Sequence, residues 1–256
     1  MIVEPVRAFA DNYIWMIVSP DEGGCAIVDP GDHRPVLEWL DRRGIVPEAI
    51  LVTHHHGDHV GGIRGLHQRW PDLPVHGPAG ERIPDCTRPV GEGDEVLVAG
   101  HRFSVMDVPG HTAGHVAYLG EGALFCGDTL FAGGCGRVFD GTFEQLCQSL
   151  KRLRGLPPET LVYCAHEYTV DNLGFAKWVE PENQALARRD TEAMALQEKG
   201  IPTVPSTLAL ECATNPFLRW DVPEVKAAAE RHAGHALDED CAVFTELRRW
   251  KDSEYD

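Results

Sequence analysis

The sequence predicts an α/β layered domain followed by a helical region, and three observations carry that reading. Up to about residue 165, short apolar runs alternate with turn residues. After His166 such runs all but vanish and helical spacing takes over. Four of the apolar runs end in residue types that ligate metals: "AILVT" in His54, His55, His56, Asp58 and His59, "FSVMDVPG" in His111, "ALFCG" in Asp128, and "TLVYCA" in His166. Strands interspersed with helices stack into layers, and loops at strand ends are where side chains distant in sequence meet.

Taken in order, "YIWMIVS", "CAIVDPG", "AILVT", "EVLVAG", "FSVMDVPG", "VAYLG", "ALFCGD" and "TLVYCAH" are rich in Val, Ile, Phe and Tyr and close on turn or polar residues, which predicts strands. Between them "RPVLEWLDRRG" and "TFEQLCQSLKRLRG" predict helices that stop at Gly. Beyond His166, "VDNLGFAKWV", "PENQALARRDTEAMALQEKG" and "PEVKAAAERHAG" predict further helices, with Pro181 and Pro223 as first-turn prolines. A boundary near residue 170 divides an α/β part, 1–170, from a helical part, 171–256, and no strand of the main sheet is expected from residues 185–256.

Composition narrows the function. A chain of 256 residues buries a core without staples. Its net charge of -17 opposes nucleic acid and anionic bilayers, which need a basic footprint, so an anionic substrate must meet a local basic patch. The eight cysteines form no CxxC pair and read as reduced thiols, which points to the cytoplasm. "MIVEPVRAFADNYIWMIV" has no basic leader or cleavage site, and no apolar stretch reaches the ~18 residues of a membrane span. Neither export nor membrane insertion is expected.

"THHHGDH", Thr53–His59, concentrates the chemistry. Several buried imidazoles within one turn, each needing its own hydrogen-bond partners, are improbable as packing; metal binding is the better reading. In an extended segment His54 and His56 project to one side and His55 to the other. Asp58 and His59 follow Gly57 around the turn and can face a second ion. His55 reads as a solvent-facing or supporting residue, and Gly61 and Gly62 as close packing for the next helix.

These residues carry a resemblance. The HxHxDH pattern with His111, Asp128 and His166 resembles the metallo-β-lactamase superfamily, which implies an αββα sandwich with a dinuclear metal centre. More narrowly, "THHHGDHVGG", "PGHTAGH", "CGDTLFAGGCGR", "CAHEYT", "NPFLR" and "RRWKD" are similar to the glyoxalase II, or hydroxyacylglutathione hydrolase, family, over nearly the whole chain including a C-terminal all-α domain. The resemblance implies one ion on His54, His56 and His111, another on Asp58, His59 and His166, and Asp128 bridging them, with Asp58 and Asp128 counted as catalytic. His115 is not a ligand in that pattern. Glutathione binding is implied for Arg137, Tyr168, Arg248 and Lys251, and for Phe139, which stands where some members have Tyr. Arg249 is the basic residue of the tail expected to point away.

The implied activity is hydrolysis of S-D-lactoylglutathione to D-lactate and glutathione, a step of methylglyoxal detoxification. Two divalent ions sharing a hydroxide lower its pKa toward about 7 and polarise the carbonyl under attack. A thioester suits such a site because a thiol of pKa near 8.5 departs without a dedicated acid. Zinc is the first expectation, with iron or manganese as alternatives; the only partner expected of a monomer is the small-molecule substrate. No G-x-S-x-G elbow is present, and Cys126, Cys135 and Cys164 read as packing. The alternative function is an iron-dependent persulfide dioxygenase or another non-hydrolytic member of the superfamily, against which the seven ligand positions and the basic tail argue.

Overall fold

The computed structural model describes residues 1–255, in two compact units: Met1–Val108 with Ala113–Gly127, and Pro109–Thr112 with the chain from Asp128 onward.

The first unit holds β1 (Ile2–Ala8), β2 (Asn12–Val18), β3 (Gly24–Val28), α1 (His33–Arg43), β4 (Val46–Leu51), the single turn α2 (Gly57–Val60), α3 (Ile63–His67), β5 (Val75–Pro78), β6 (Arg88–Val90), β7 (Glu95–Val98), β8 (His101–Asp107), β9 (Val116–Gly120) and β10 (Ala123–Gly127). Strands β1 to β6 make one sheet in sequence order, antiparallel through β3 and parallel from β3 to β6. Strands β7 to β10 make an antiparallel meander. All seven residues of β2 and all five of β3 are buried, which explains apolar runs without strict alternation: these strands are covered on both faces. On one face Val36, Trp39 and Leu40 of α1 and Ile63 and Leu66 of α3 join Ile14, Met16, Ile27 and Ile50 in one core. The other face meets the meander, where Tyr118 Oη donates to the Val52 carbonyl at 2.9 Å and the His101 ring lies 3.1 Å from the Val18 carbonyl. Helix α1 starts on the Asp32 cap and stops at Gly44, whose φ of 65° is left-handed.

The second unit holds the small hairpin β11 (Leu130–Phe131) and β12 (Gly134–Cys135), then α4 (Phe143–Arg154), β13 (Leu161–Cys164), α5 (Thr169–Val179), α6 (Gln184–Glu198), β14 (Ser206–Thr207), α7 (Leu208–Thr214), α8 (Pro223–Ala233) and α9 (Asp240–Trp250), which runs on as one wider π turn, Lys251–Tyr255. Thr142 caps α4 by accepting from Gln145 N, and α8 begins on Pro223 and ends at Gly234 (φ 76°), as expected. Pro181, in contrast, lies outside α6, which starts at Asn183 because that side chain accepts from both Ala185 N and Leu186 N.

Two expectations are corrected. Ser206–Thr207 form a short strand pairing with β13, Leu161 opposite Thr207, although no strand was expected there; two residues following Pro205 carry no periodicity to read. And the cysteines are not all reduced: Cys147 of α4 and Cys241 of α9 are disulfide-bonded, with Cα atoms 5.7 Å apart, while the other six are free. The two lie 94 positions apart in sequence, so only the packing of α4 on α9 reveals them. No helix among the described residues is long and apolar enough to cross a membrane.

Candidate active site

In the first unit the chain leaves β4 through Val52 and Thr53 and brings the imidazoles together at the strand end. His54 Nε2 and His56 Nδ1 stand 3.0 Å apart, and the His54 and His59 rings 4.0 Å apart. Asp58 Oδ2 lies 3.5 Å from His59 Nε2 and accepts from Asn12 Nδ2 at 3.0 Å. The outer nitrogens of His54 and His59 each lie beside an oxygen. Thr53 Oγ1, which donates to Asp29 Oδ2 at 2.7 Å, lies 3.1 Å from His54 Nδ1, and Asp29 Oδ2 lies 3.1 Å from His59 Nδ1. A carboxylate or hydroxyl on one ring nitrogen fixes the tautomer and turns the other toward a metal. His55 points elsewhere, to Glu81 (2.9 Å), whose other oxygen accepts from Gly114 N. His115 is fully buried, stacks on His54 with ring centres 4.6 Å apart, and has its Nδ1 3.0 Å from the Val116 carbonyl. Gly61 and Gly62 are glycine for the expected reason: a Cβ would lie 2.7 Å from the Gly31 and Gly57 carbonyls in one case and 2.5 Å from the Pro30 carbonyl in the other.

The second unit presents His111, Asp128 and His166. Asp128 Oδ2 lies 3.5 Å from His111 Nε2 and 3.4 Å from His166 Nε2, so one carboxylate oxygen faces both rings. Hydrogen bonds of this kind are shorter, ~2.7–3.2 Å, whereas two atoms each about 2.0–2.1 Å from one tetrahedral ion stand about 3.4 Å apart. The donor set, neutral imidazole with carboxylate, suits zinc, iron or manganese. His111 Nδ1 is held 2.8 Å from the Arg137 carbonyl, again leaving Nε2 as the inner atom. Behind Asp128 the loop through Arg137 is pinned by buried polar side chains: Asn172 donates to the Ala132 carbonyl, Asn215 to those of Phe131 and Gly134, and Arg248 to that of Cys135, while Glu211 accepts from Gly133 N. Glu211 is itself fully buried and matched by Arg189 and Ser206. Such a charge survives burial only when paired and hydrogen-bonded.

With this geometry in place, known proteins locate the chain. Residues 9–166 match the metallo-beta-lactamase superfamily, and residues 167–254 match the hydroxyacylglutathione hydrolase C-terminus. A hydroxyacylglutathione hydrolase of Xanthomonas axonopodis is 54% identical over 96% of both chains, and one of Nitrosomonas eutropha 49% identical over 98% of both. This chain belongs to the hydroxyacylglutathione hydrolase family of the metallo-beta-lactamase superfamily. Among solved structures, ETHE1 from Myxococcus xanthus superposes with a TM-score of 0.68 at 23% identity, covering 99% of this chain and 91% of that one, a likeness of fold alone. TTHA1623 in a di-iron-bound form superposes with a TM-score of 0.61 at 29% identity, over 85% of this chain and all of that one. The architecture is therefore the expected α/β metallo-β-lactamase sandwich with a helical C-terminal region, and the fold with its His and Asp groups suggests a dinuclear metal centre.

The residues that the family resemblance assigns to substrate all lie in the second unit. Tyr168 stacks flat on His166, with ring centres 4.7 Å apart and 6° between planes. Phe139 is 65% exposed with its ring edge-on to His111. Arg248 and Lys251 are only 1% and 5% exposed, so they are no solvated helix face. Lys251 Nζ donates to Asn172 Oδ1 at 2.7 Å, and Arg249 turns away to cover the Phe143 ring. Burial pushes the Cys135 thiol up to about 11 and Cys164 up to about 12, so neither is a thiolate at neutral pH, in keeping with a packing role. Sequence reading missed Asp29, Asn172, Glu211 and Asn215. Asp29 alone left a mark, in the "DPG" that closes β3, where it adopts a φ of 52° that strands avoid.

Proposed function

We propose that this hydroxyacylglutathione hydrolase family member cleaves S-D-lactoylglutathione to D-lactate and glutathione, with His54, His56 and His111 holding one divalent ion, Asp58, His59 and His166 a second, and Asp128 between them. The observation that carries the reading is the family likeness through residues 167–254, which match the hydroxyacylglutathione hydrolase C-terminus. It favours the thioester hydrolase over an iron-dependent persulfide dioxygenase. Support for the ligand set comes from His54 and His111, whose outer nitrogens are engaged, and from Asp128 Oδ2 facing two rings. Zinc is the first choice of metal. Once bound, two such ions supply Lewis acidity and a water acidified toward about pH 7.

The chain's own groups orient and select. The Arg137 carbonyl sets the tautomer of His111, and the Asp29 carboxylate lies beside His59 Nδ1. Residues 1–170 hold the metal and 171–256 bind substrate through Arg248 and Lys251, joined by Arg137 and Tyr168 from the first part: Tyr168 offers a hydroxyl beside His166, while Arg137, Arg248 and Lys251 supply the positive charge that two glutathione carboxylates need in a protein of net charge -17. Phe139 offers only its ring. We assign it to the cytoplasm as a monomer, although the Cys147–Cys241 disulfide removes the reduced-thiol argument for that compartment. Steady-state assays with S-D-lactoylglutathione, a β-lactam and a phosphodiester, alongside oxygen uptake with glutathione persulfide, test this. Turnover should be confined to the thioester; persulfide-dependent oxygen uptake without thioester cleavage would move the chain to the dioxygenase reading.

A further inference from the structure

Arg137 and Arg248 approach each other in the second unit, and like charges need a reason to do so. The reason is Asp252. Its Oδ1 accepts from Arg248 Nη2 at 2.8 Å and Nε at 3.1 Å, and the same oxygen lies 3.7 Å from Arg137 Nε. The two arginines differ in setting. Arg248 is 1% exposed, donates through Nη1 to the Cys135 carbonyl and lies over the Phe217 ring, so its plane is fixed. Arg137 has a side chain 52% exposed on a loop. Its 3.7 Å separation is too long for a hydrogen bond, so charge is what draws it in.

We propose that Asp252 is a positioning residue for substrate binding: it balances Arg248 and draws Arg137 to it, so that a carboxylate of the glutathione thioester finds two guanidinium groups already gathered. This rests on the reading that Arg137 and Arg248 meet the substrate. An isolated surface ion pair contributes little because both side chains must be ordered. Here Asp252 is ordered already by a buried arginine four residues earlier on α9, so only Arg137 loses freedom. One negative charge against two positive leaves the pair net cationic. Asp252 does not merely fill the place of the ligand, because displacing it would strand a buried guanidinium without its counter-charge.

The test compares wild type, D252N, R137A and D252N/R137A, all metal-loaded, with S-D-lactoylglutathione and with the lactoyl thioester of N-acetylcysteamine, which has no carboxylate. Asn keeps an oxygen to accept from Arg248 and removes only the charge. We expect D252N to raise KM for the glutathione thioester about tenfold, with kcat within about twofold. R137A should do the same, the double variant no more than the worse single one, and KM for the carboxylate-free thioester should not move. Lower KM in D252N would mean that Asp252 competes with substrate, and overturns the proposal. So would additive effects of the two changes, or an equal rise with the carboxylate-free thioester, either of which marks a purely structural role. If R137A raises KM and D252N does not, the proposal alone fails; if R137A leaves KM unchanged, the substrate reading of Arg137 fails and takes the proposal with it.

Discussion

At the scale of single residues, the site is built from rings whose orientation is decided by what touches their far side. Asp128 faces His111 and His166 with one oxygen. Asp128→Asn should keep the fold by circular dichroism yet lower bound metal below two ions per chain and cut kcat by orders of magnitude. Full loading and full turnover in that variant would discard the bridging role. Asp29 acts one step further out, through His59 and Thr53. Its replacement by Ala should weaken metal affinity about 10–100-fold in a chelator competition, the usual effect of losing an outer partner. Arg248→Ala and Lys251→Ala should each raise KM for the glutathione thioester about tenfold per 1.4 kcal/mol lost, with kcat changed much less, because a carboxylate remote from the reaction is bound alike in ground and transition states. A collapse of kcat accompanied by loss of metal would instead assign these side chains to scaffolding.

At the scale of elements, α9 and the turn after it concentrate the groups proposed for substrate. Its hold on the molecule is partly covalent: Cys241 at its start is bonded to Cys147 of α4. A cross-link closing 94 positions of chain restrains the unfolded ensemble strongly, and removing one of this kind costs about 2–5 kcal/mol. Replacing both cysteines by Ser should therefore lower the melting temperature of the oxidised protein to that measured under reductant; an unchanged melting temperature would mean that the link adds no stability. Both helices expected to stop at Gly do so, though by different means. Gly44 and Gly234 stop their helices in the left-handed conformation, whereas Gly155 after α4 stays right-handed, its N–H reaching the Arg152 carbonyl at 3.2 Å.

At the scale of the whole molecule, His232 ties α8 to the chain's last turns. Its ring stacks on Trp250 and lies 2.6 Å from Glu246 and 3.0 Å from Glu254. Burial alone would lower its pKa, but the hydrogen bonds and charge of Glu246 and Glu254 outweigh that and raise it above 6.5. A histidine raised in the folded state stabilises fully below its unfolded pKa, and that stability is lost as pH climbs through the folded value. The melting temperature should thus fall as pH rises from 6 through neutrality, and His232→Gln should flatten that slope; an unaltered slope would assign the dependence to other groups. Nothing in "AERHAG" announces this histidine, because Glu246 and Glu254 reach it only once α8 lies beside α9. By contrast, the ligand-type residues at four strand ends, eight of the strands and the helical tail were legible in one dimension, since apolar runs, caps and metal ligands at short spacing are local properties, whereas β1, β5 and β6, each carrying a proline, were not. Residue types and their spacing were enough for the layered class, the family and the candidate ligands. Only the folded chain shows that Cys147 meets Cys241, that Asp29 lies beside His59, that Glu211 and Asn215 pin the loop behind Asp128, and that Asp252 stands between two arginines. Each is a contact between residues more than 20 positions apart save the turn from Arg248 to Asp252. Such pairings leave no periodic trace, because what selects them is the burial of a polar group that must find its partner in three dimensions.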